Sequence, residues 1–286
     1  MSRIAIIGGG NIGEALLSGL LRAGRQVKDI VVAERVPARA RHLAETYSVL
    51  VAGVADAVEN ANFVVVAVKP SDVESVTEEI AEAVARDETG SVEHVFVTVV
   101  AGVHTAYFET KLSAGAPVVR VMPNAPMVVA AGVSAIAKGR FASDEQLKEV
   151  AALFDSVGGV LTVPETQLDA VTAVSGSGPA YFFLMAEALI DAGVAAGLSR
   201  ATATDLVVQT MAGSAAMLLE SFDGRTEAAD SFIDTTPARL RATVTSPAGT
   251  TAAGLAELER GGFRAAVAAA VVAAKNRAGQ LGITSE

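Results

Sequence analysis

Gly8, Gly10 and Gly13 stand in the spacing G-x-G-x-x-G, directly after the apolar run Ile4-Ala5-Ile6-Ile7. In such a spacing the first glycine permits a tight turn, the second lets the backbone approach a pyrophosphate, and the third lets a helix pack on a strand. The pyrophosphate then lies at a helix N-terminus, whose free N–H groups and dipole favour negative charge. Asn11 and Ile12 fall inside the motif, at that helix start. Glu34 follows Gly13 by 21 residues, where an acidic side chain accepts from adenosine ribose hydroxyls. Arg35 beside it suits the additional phosphate of NADP, so the pair leaves both NADPH and NADH open. Arg39 and Arg41 read as a solvated helix face.

Other residues could do chemistry at the same sheet edge. Lys69-Pro70 closes the run 63–68, and a lysine there reaches a nicotinamide ribose or a substrate anion as readily as it points into solvent. Asn124, in Pro123-Asn124-Ala125-Pro126, reads first as a turn residue and second as a partner for the nicotinamide end. Further along, Ser175-Gly176-Ser177-Gly178-Pro179 and Thr245-Ser246-Pro247-Ala248-Gly249-Thr250-Thr251 both set hydroxyls, glycine and proline before a helix. Free N–H groups beside hydroxyls make a carboxylate or phosphate pocket. Plain helix capping is the alternative for each, and the presence of two such loops tilts the reading toward a ligand.

The elements that must hold these residues fall into two kinds. Apolar runs at 3–7, 29–33, 63–68, 95–100, 118–122, 133–137 and 160–163 read as strands. They alternate with helical segments such as 12–23 and the one opened by Ser143 with Gln146 three residues on, a capping-box pattern. This order implies right-handed βαβ units and a doubly wound, Rossmann-type sheet. After Pro164 the chain becomes alanine-rich and helical, over 179–196, 201–221 and 262–280, with 222–237 as a polar loop. Helices this poor in charge must be buried against something, and a second copy of the chain is the expected partner. The expected organisation is α/β: a dinucleotide-binding domain over 1–164 and an all-α dimerisation and substrate domain over 165–286.

Composition narrows the function classes. With 286 residues, 51% of them hydrophobic, the chain is not disordered. Its 22 basic against 32 acidic side chains, a net charge of −10, argue against nucleic acid as a partner. The charge-free stretch 121–137 is cut by Pro123, Asn124 and Pro126, so no membrane span is expected. The apolar run at 4–7 is too short for an export signal, which points to the cytoplasm. Cysteine is absent, and His42, His94 and His104 belong to no catalytic or metal-ligating arrangement, so no metal is expected.

The order and spacing of these segments carry a resemblance. Residues 8–13, Ala67-Val68-Lys69-Pro70, Arg120-Val121-Met122-Pro123-Asn124, residues 175–181, residues 245–251 and Glu259-Arg260-Gly261-Gly262-Phe263-Arg264 together resemble pyrroline-5-carboxylate reductases, the actinobacterial ones most, over essentially the whole chain. The resemblance implies reduction of the imine of 1-pyrroline-5-carboxylate to L-proline by NADPH or NADH. It also implies a homodimer built on the helical domain, often assembled into decamers of five dimers. Carried over by position, Ser246, Gly249, Thr250 and Thr251 would hold the substrate carboxylate and ring nitrogen, with Ser177 beside them. Thr251 and Ser246 would be the catalytic pair. Gly8, Gly10, Asn11, Ile12, Gly13, Glu34, Arg35, Ala67, Lys69, Pro70 and Asn124 would line the cofactor.

Two positions depart from the family pattern: Ala248, where a second glycine is usual, and Glu34-Arg35, where small hydroxyl residues are common. A positive φ at Ala248 would strain an alanine by about 1 kcal/mol. Hydride transfer to a protonated imine needs no strong base, which agrees with the lack of a nucleophile–base pair. The alternatives are a β-hydroxyacid dehydrogenase or other imine reductase, and a nucleotide-binding protein without activity. The first is disfavoured because Lys275 is the one lysine after residue 148, and the second because the 246–251 segment is intact.

Overall fold

The structure is a computed structural model, and it describes residues 2–86, 93–223 and 236–281. Strands β1 (Ile4–Ile7) and β2 (Ile30–Ala33) flank helix α1 (Asn11–Arg22). There follow α2 (Pro37–Tyr47), β3 (Leu50–Ala52), α3 (Val54–Val58), β4 (Phe63–Val66), α4 (Val73–Arg86), β5 (Val95–Thr98) and α5 (Thr105–Lys111). The first half closes with β6 (Val118–Met122), β7 (Gly132–Lys138), α6 (Asp144–Asp155) and β8 (Gly158–Thr162). The eight strands form one sheet in the order β3-β2-β1-β4-β5-β6-β7-β8.

The strands turn alternate residues to opposite faces, and helices cover both. Ile4 and Ile6 join Leu16, Leu17, Leu20 and Phe154 in one apolar core. Ala5 and Ile7 join Val58, Val73, Ile80 and Phe108 in the other. A strand buried on both faces reads as an unbroken apolar run, which is why β1, β2, β4 and β5 are legible in the sequence. The doubly wound expectation holds with two corrections. The sheet is mixed, because β7 runs antiparallel to β6, with Val121 opposite Ile136. The edge strand β3, parallel to β2, is not in the sequence reading; it has three residues, and Leu50 is exposed. Such a short, one-sided edge carries no periodic signal.

The second half is helical: α7 (Leu168–Val171), α8 (Gly178–Ala195), α9 (Arg200–Asp223), α10 (Thr236–Thr243), α11 (Thr250–Arg260) and α12 (Phe263–Leu281). By packing, the chain resolves into two compact units, residues 1–179 with 271–286, and residues 180–270. Within the second unit, Gly193 lets α8 approach α9, since a Cβ there would lie 3.3 Å from the Ala203 methyl. Phe182, Phe183, Leu184, Leu206 and Leu219 are all exposed. Of the expected loop at 222–237, residues 224–235 lie outside the described residues, while Asp223 ends α9 and Thr236 begins α10.

Residues 175–179 are not a loop before a helix. Ser175 and Gly176 end a π turn, Thr172–Gly176, that follows α7, Ser177 links it to α8, and Gly178 and Pro179 are the first residues of α8. The Ser177 N–H donates to the Thr172 carbonyl at 2.8 Å, five residues back. Pro179 has no N–H to give the carbonyl four residues earlier, and the wider turn accommodates that. The helical stretch thus runs on from Glu165 to Ala195. The sequence reading missed it by breaking the stretch at the glycines and proline.

Candidate functional site

The glycine motif opens α1 as expected. Gly8 has φ +107°, a conformation open to glycine, and its N–H donates to the Ala33 carbonyl at 2.8 Å, tying the turn to the end of β2. At Gly13 an added Cβ would lie 2.0 Å from the Gly8 carbonyl oxygen, so helix and turn touch backbone to backbone. Gly10 is the reverse case, with nothing within 4 Å of an added Cβ. That open space belongs to a cavity of about 510 Å³ lined by Gly8, Gly10, Asn11, Glu34, Lys69 and Val76, among others. Gly10 caps α1 with no side-chain hydrogen bond. The first N–H groups of a twelve-residue helix are therefore open to an anion. The cradle fits a dinucleotide pyrophosphate: open backbone donors, room instead of a side chain, and a carboxylate at the far end.

Most of the predicted cofactor residues are brought together here. Gly8, Gly10, Asn11, Glu34, Arg35, Ala67 and Lys69 all line this cavity, and Ile12 and Gly13 continue α1 behind it. Pro70 opens a short 3₁₀ turn, Pro70–Asp72, just after Lys69. Asn124 does not line the cavity; its Oδ1 accepts the Val133 N–H at 2.9 Å and braces the turn between β6 and β7. The turn reading of Asn124 is thus accounted for by observed contacts.

The charged groups around Glu34 are tightly engaged. Glu34 Oε2 accepts the Gly9 N–H at 2.9 Å, and Oε1 accepts the Val36 N–H at 2.8 Å. Arg35 pairs with Asp72. Arg39, expected on a solvated face, instead donates from Nε to the Gly9 carbonyl at 2.7 Å and pairs with Glu14. Burial pushes the Glu14 carboxyl up, but hydrogen bonds from Tyr47 and His42 and the charge of Arg39 outweigh it and hold Glu14 below its ordinary value. Nothing along the sequence joins Glu14 to Arg39; only the packing of α1 beside α2 does.

A second cluster also escaped the sequence reading. Arg120 on β6 is fully buried, with Glu165 Oε1 at 3.4 Å, Asp169 Oδ1 at 3.5 Å and His104 Nδ1 at 3.3 Å. Glu165 also accepts the Thr105 N–H at 2.7 Å and its hydroxyl at 2.8 Å. An arginine inside the apolar run Val118-Val119-Arg120-Val121-Met122 was the available signal, since a buried charge needs partners. The cluster ties β6 to the segment that leads into the π turn, where a Cβ at Gly176 would lie 2.8 Å from the Met122 methyl. Ser177, just after that turn, is half-buried.

In the helical unit, Gly249 caps α11 with no side-chain hydrogen bond, so the N-terminus of this eleven-residue helix is also open. Ser246, Thr250 and Thr251 are exposed beside it. The Gly249 N–H donates to the Ser246 carbonyl at 3.1 Å, and an added Cβ at Gly249 would lie 2.4 Å from Ser246 Oγ. Ala248 has φ +59°, so this turn does use the left-handed region and alanine bears the strain there. Among the described residues no group of three or more acidic or imidazole side chains could hold a metal ion.

A doubly wound sheet with a glycine-lined pyrophosphate cradle defines a Rossmann-type, nicotinamide-dinucleotide oxidoreductase. Two family profiles match, pyrroline-5-carboxylate reductase dimerisation over residues 165–281 and NADP oxidoreductase coenzyme F420-dependent over residues 3–102. The pyrroline-5-carboxylate reductase of Mycobacterium tuberculosis is 70% identical over 291 aligned positions, covering 100% of this chain and 99% of that protein. The solved pyrroline-5-carboxylate reductase of Coxiella burnetii is 33% identical, with a TM-score of 0.86 over 99% of both chains. That of Plasmodium falciparum, solved with NADP bound, is 27% identical with a TM-score of 0.81, covering 99% of this chain and 98% of that one. The chain belongs to the pyrroline-5-carboxylate reductase family.

Proposed function

We propose that the chain reduces the imine of 1-pyrroline-5-carboxylate to L-proline, the last step of proline biosynthesis, with NADPH as the preferred reductant and NADH as the alternative. Family membership sets the reaction class, and one observation on this chain carries the substrate assignment: the open N-terminus of α11, flanked by the exposed hydroxyls of Ser246, Thr250 and Thr251. A small cyclic amino acid offers one carboxylate, and helix N–H groups beside hydroxyls are the donors such an anion needs.

In this reading Ser246, Gly249 and Thr250 hold the carboxylate, Thr251 orients the ring nitrogen, and Ser177 borders the ring. Gly8, Gly10, Asn11, Ile12, Gly13, Glu34, Arg35, Ala67, Lys69 and Pro70 serve the cofactor, while Asn124 braces the turn between β6 and β7. The reduced nicotinamide, when bound, supplies the hydride. The residues of the chain bind and orient, and no side chain has to remove a proton, because the protonated imine is already electrophilic. A threonine hydroxyl is a poor acid, so Thr251 fixes geometry rather than delivering a proton.

The division into a dinucleotide-binding domain over 1–164 and a helical dimerisation and substrate domain over 165–286 belongs to this reading, supported by the dimerisation profile over 165–281. The chain assembles with copies of itself, as dimers and as decamers of five dimers. A cytoplasmic location goes with this reading. The test is spectrophotometric: consumption of NADPH and NADH on adding 1-pyrroline-5-carboxylate, beside other cyclic imines. Turnover with neither cofactor, or a clear preference for an imine without a carboxylate, would overturn the reading.

A further inference from the structure

Gly9 is the one residue of the turn whose backbone is held by side chains on both sides. Its N–H donates to Glu34 Oε2 at 2.9 Å and its carbonyl accepts Arg39 Nε at 2.7 Å. An added Cβ would lie 2.3 Å from Leu43 Cδ1 and 3.2 Å from Glu34 Oε2, so Leu43 would have to shift to admit one. Arg39 is in turn anchored by Glu14, whose other oxygen accepts the Tyr47 hydroxyl at 3.0 Å and lies 3.2 Å from His42 Nε2. Arg39, His42, Leu43 and Tyr47 form one stripe of α2, three and four residues apart, facing the start of α1.

We propose that Arg39 is a positioning residue for dinucleotide binding: through the Gly9 carbonyl it fixes the turn that presents the pyrophosphate donors, and Glu14 holds Arg39 in place. The inference rests on the dinucleotide reading of the cavity. Arg39 also lines that cavity, and an arginine near the adenosine end could equally have been assigned to the additional phosphate of NADP. The geometry separates the two roles. The planar guanidinium spends Nε on a carbonyl and Nη2 on a carboxylate, a two-point bridge that a lysine ammonium cannot reproduce. A residue that shapes the turn affects every dinucleotide alike, while a phosphate ligand affects the phosphorylated one alone.

The experiment is calorimetric titration of the full chain and its R39Q, R39K and E14Q variants with NADPH, NADH and ADP-ribose, beside steady-state kinetics. R39Q should weaken all three ligands by the same factor, about tenfold, raising KM for both cofactors while sparing kcat. R39K should recover part of the loss. E14Q should reproduce a part of it, and E14Q with R39Q should be no worse than R39Q alone, since Glu14 acts through Arg39. A loss confined to NADPH, or none for any ligand, would overturn the proposal. If R39Q does not fold, E14Q and R39K carry the same comparison. Wild-type protein that bound none of the three ligands would overturn the dinucleotide reading itself, and the proposal with it.

Discussion

Arg35 Nη2 lies 2.9 Å from Asp72 Oδ2, and both residues line the cavity at the glycine turn. The guanidinium is 74% exposed, so the pair contributes little to stability and exchanges readily for a better anion. Glu34 nearby is fixed by two backbone N–H groups and sets its carboxyl group at the same end of the cavity. Arg35→Gln should therefore raise the KM for NADPH several-fold more than that for NADH, and Asp72→Asn should lower it. Equal effects on both cofactors would make Arg35 a surface residue.

Thr251→Ala should lower turnover and weaken the substrate while cofactor titration stays unchanged. One hydrogen bond to a charged ligand contributes about 1.5–3 kcal/mol, which is roughly tenfold to a hundredfold in kcat/KM. Thr251 is exposed, so folding should be unaffected. Steady-state constants equal to those of the wild type would remove it from the site.

Arg120→Met should destabilise the fold by about 3 kcal/mol in denaturant titration, because it leaves carboxylates behind at a buried position. Arg120 is 2% exposed while Glu165 and Asp169 are each 22% exposed, so water offsets part of the loss. Glu165→Gln should cost less, since the amide oxygen can still accept from Thr105. A variant as stable as the wild type would show the cluster to be energetically idle.

Phe183 is 70% exposed on α8. An apolar surface of this kind marks an association site, so Phe183→Glu should shift the species seen by light scattering toward a monomer. An unchanged mass would place the contact between copies elsewhere.

Glu14 carries a lowered pKa, so its ionised form is the one the fold favours. The sign follows from linkage: a depressed carboxyl adds stability above its unfolded pKa and loses it as pH falls through the folded one. The stability difference between wild type and Glu14→Gln should be full at neutral pH and shrink as pH drops below the ordinary carboxylate range. A difference that grew on acidification would contradict the contacts to Tyr47, His42 and Arg39.

The strands buried on both faces, the glycine turn with Glu34 downstream, and the capping box of Ser143 and Gln146 were all legible in the sequence, because each is a local pattern whose physics needs only a few neighbouring residues. The open helix ends at Gly10 and Gly249 were legible for the same reason. Tertiary structure decided the rest. It turned residues 175–179 from a loop into the end of a π turn and the start of α8, since Pro179 has no N–H to give an ordinary helical turn. It set β7 antiparallel, a choice made by the turn that Asn124 braces against Val133. It also joined Arg39 to Gly9 and Glu14, and Arg120 to Glu165 and Asp169. Charges that meet across 25 to 49 residues of chain leave no spacing to read; only the packing of α1 on α2, and of β6 against the segment before α7, shows that they pair.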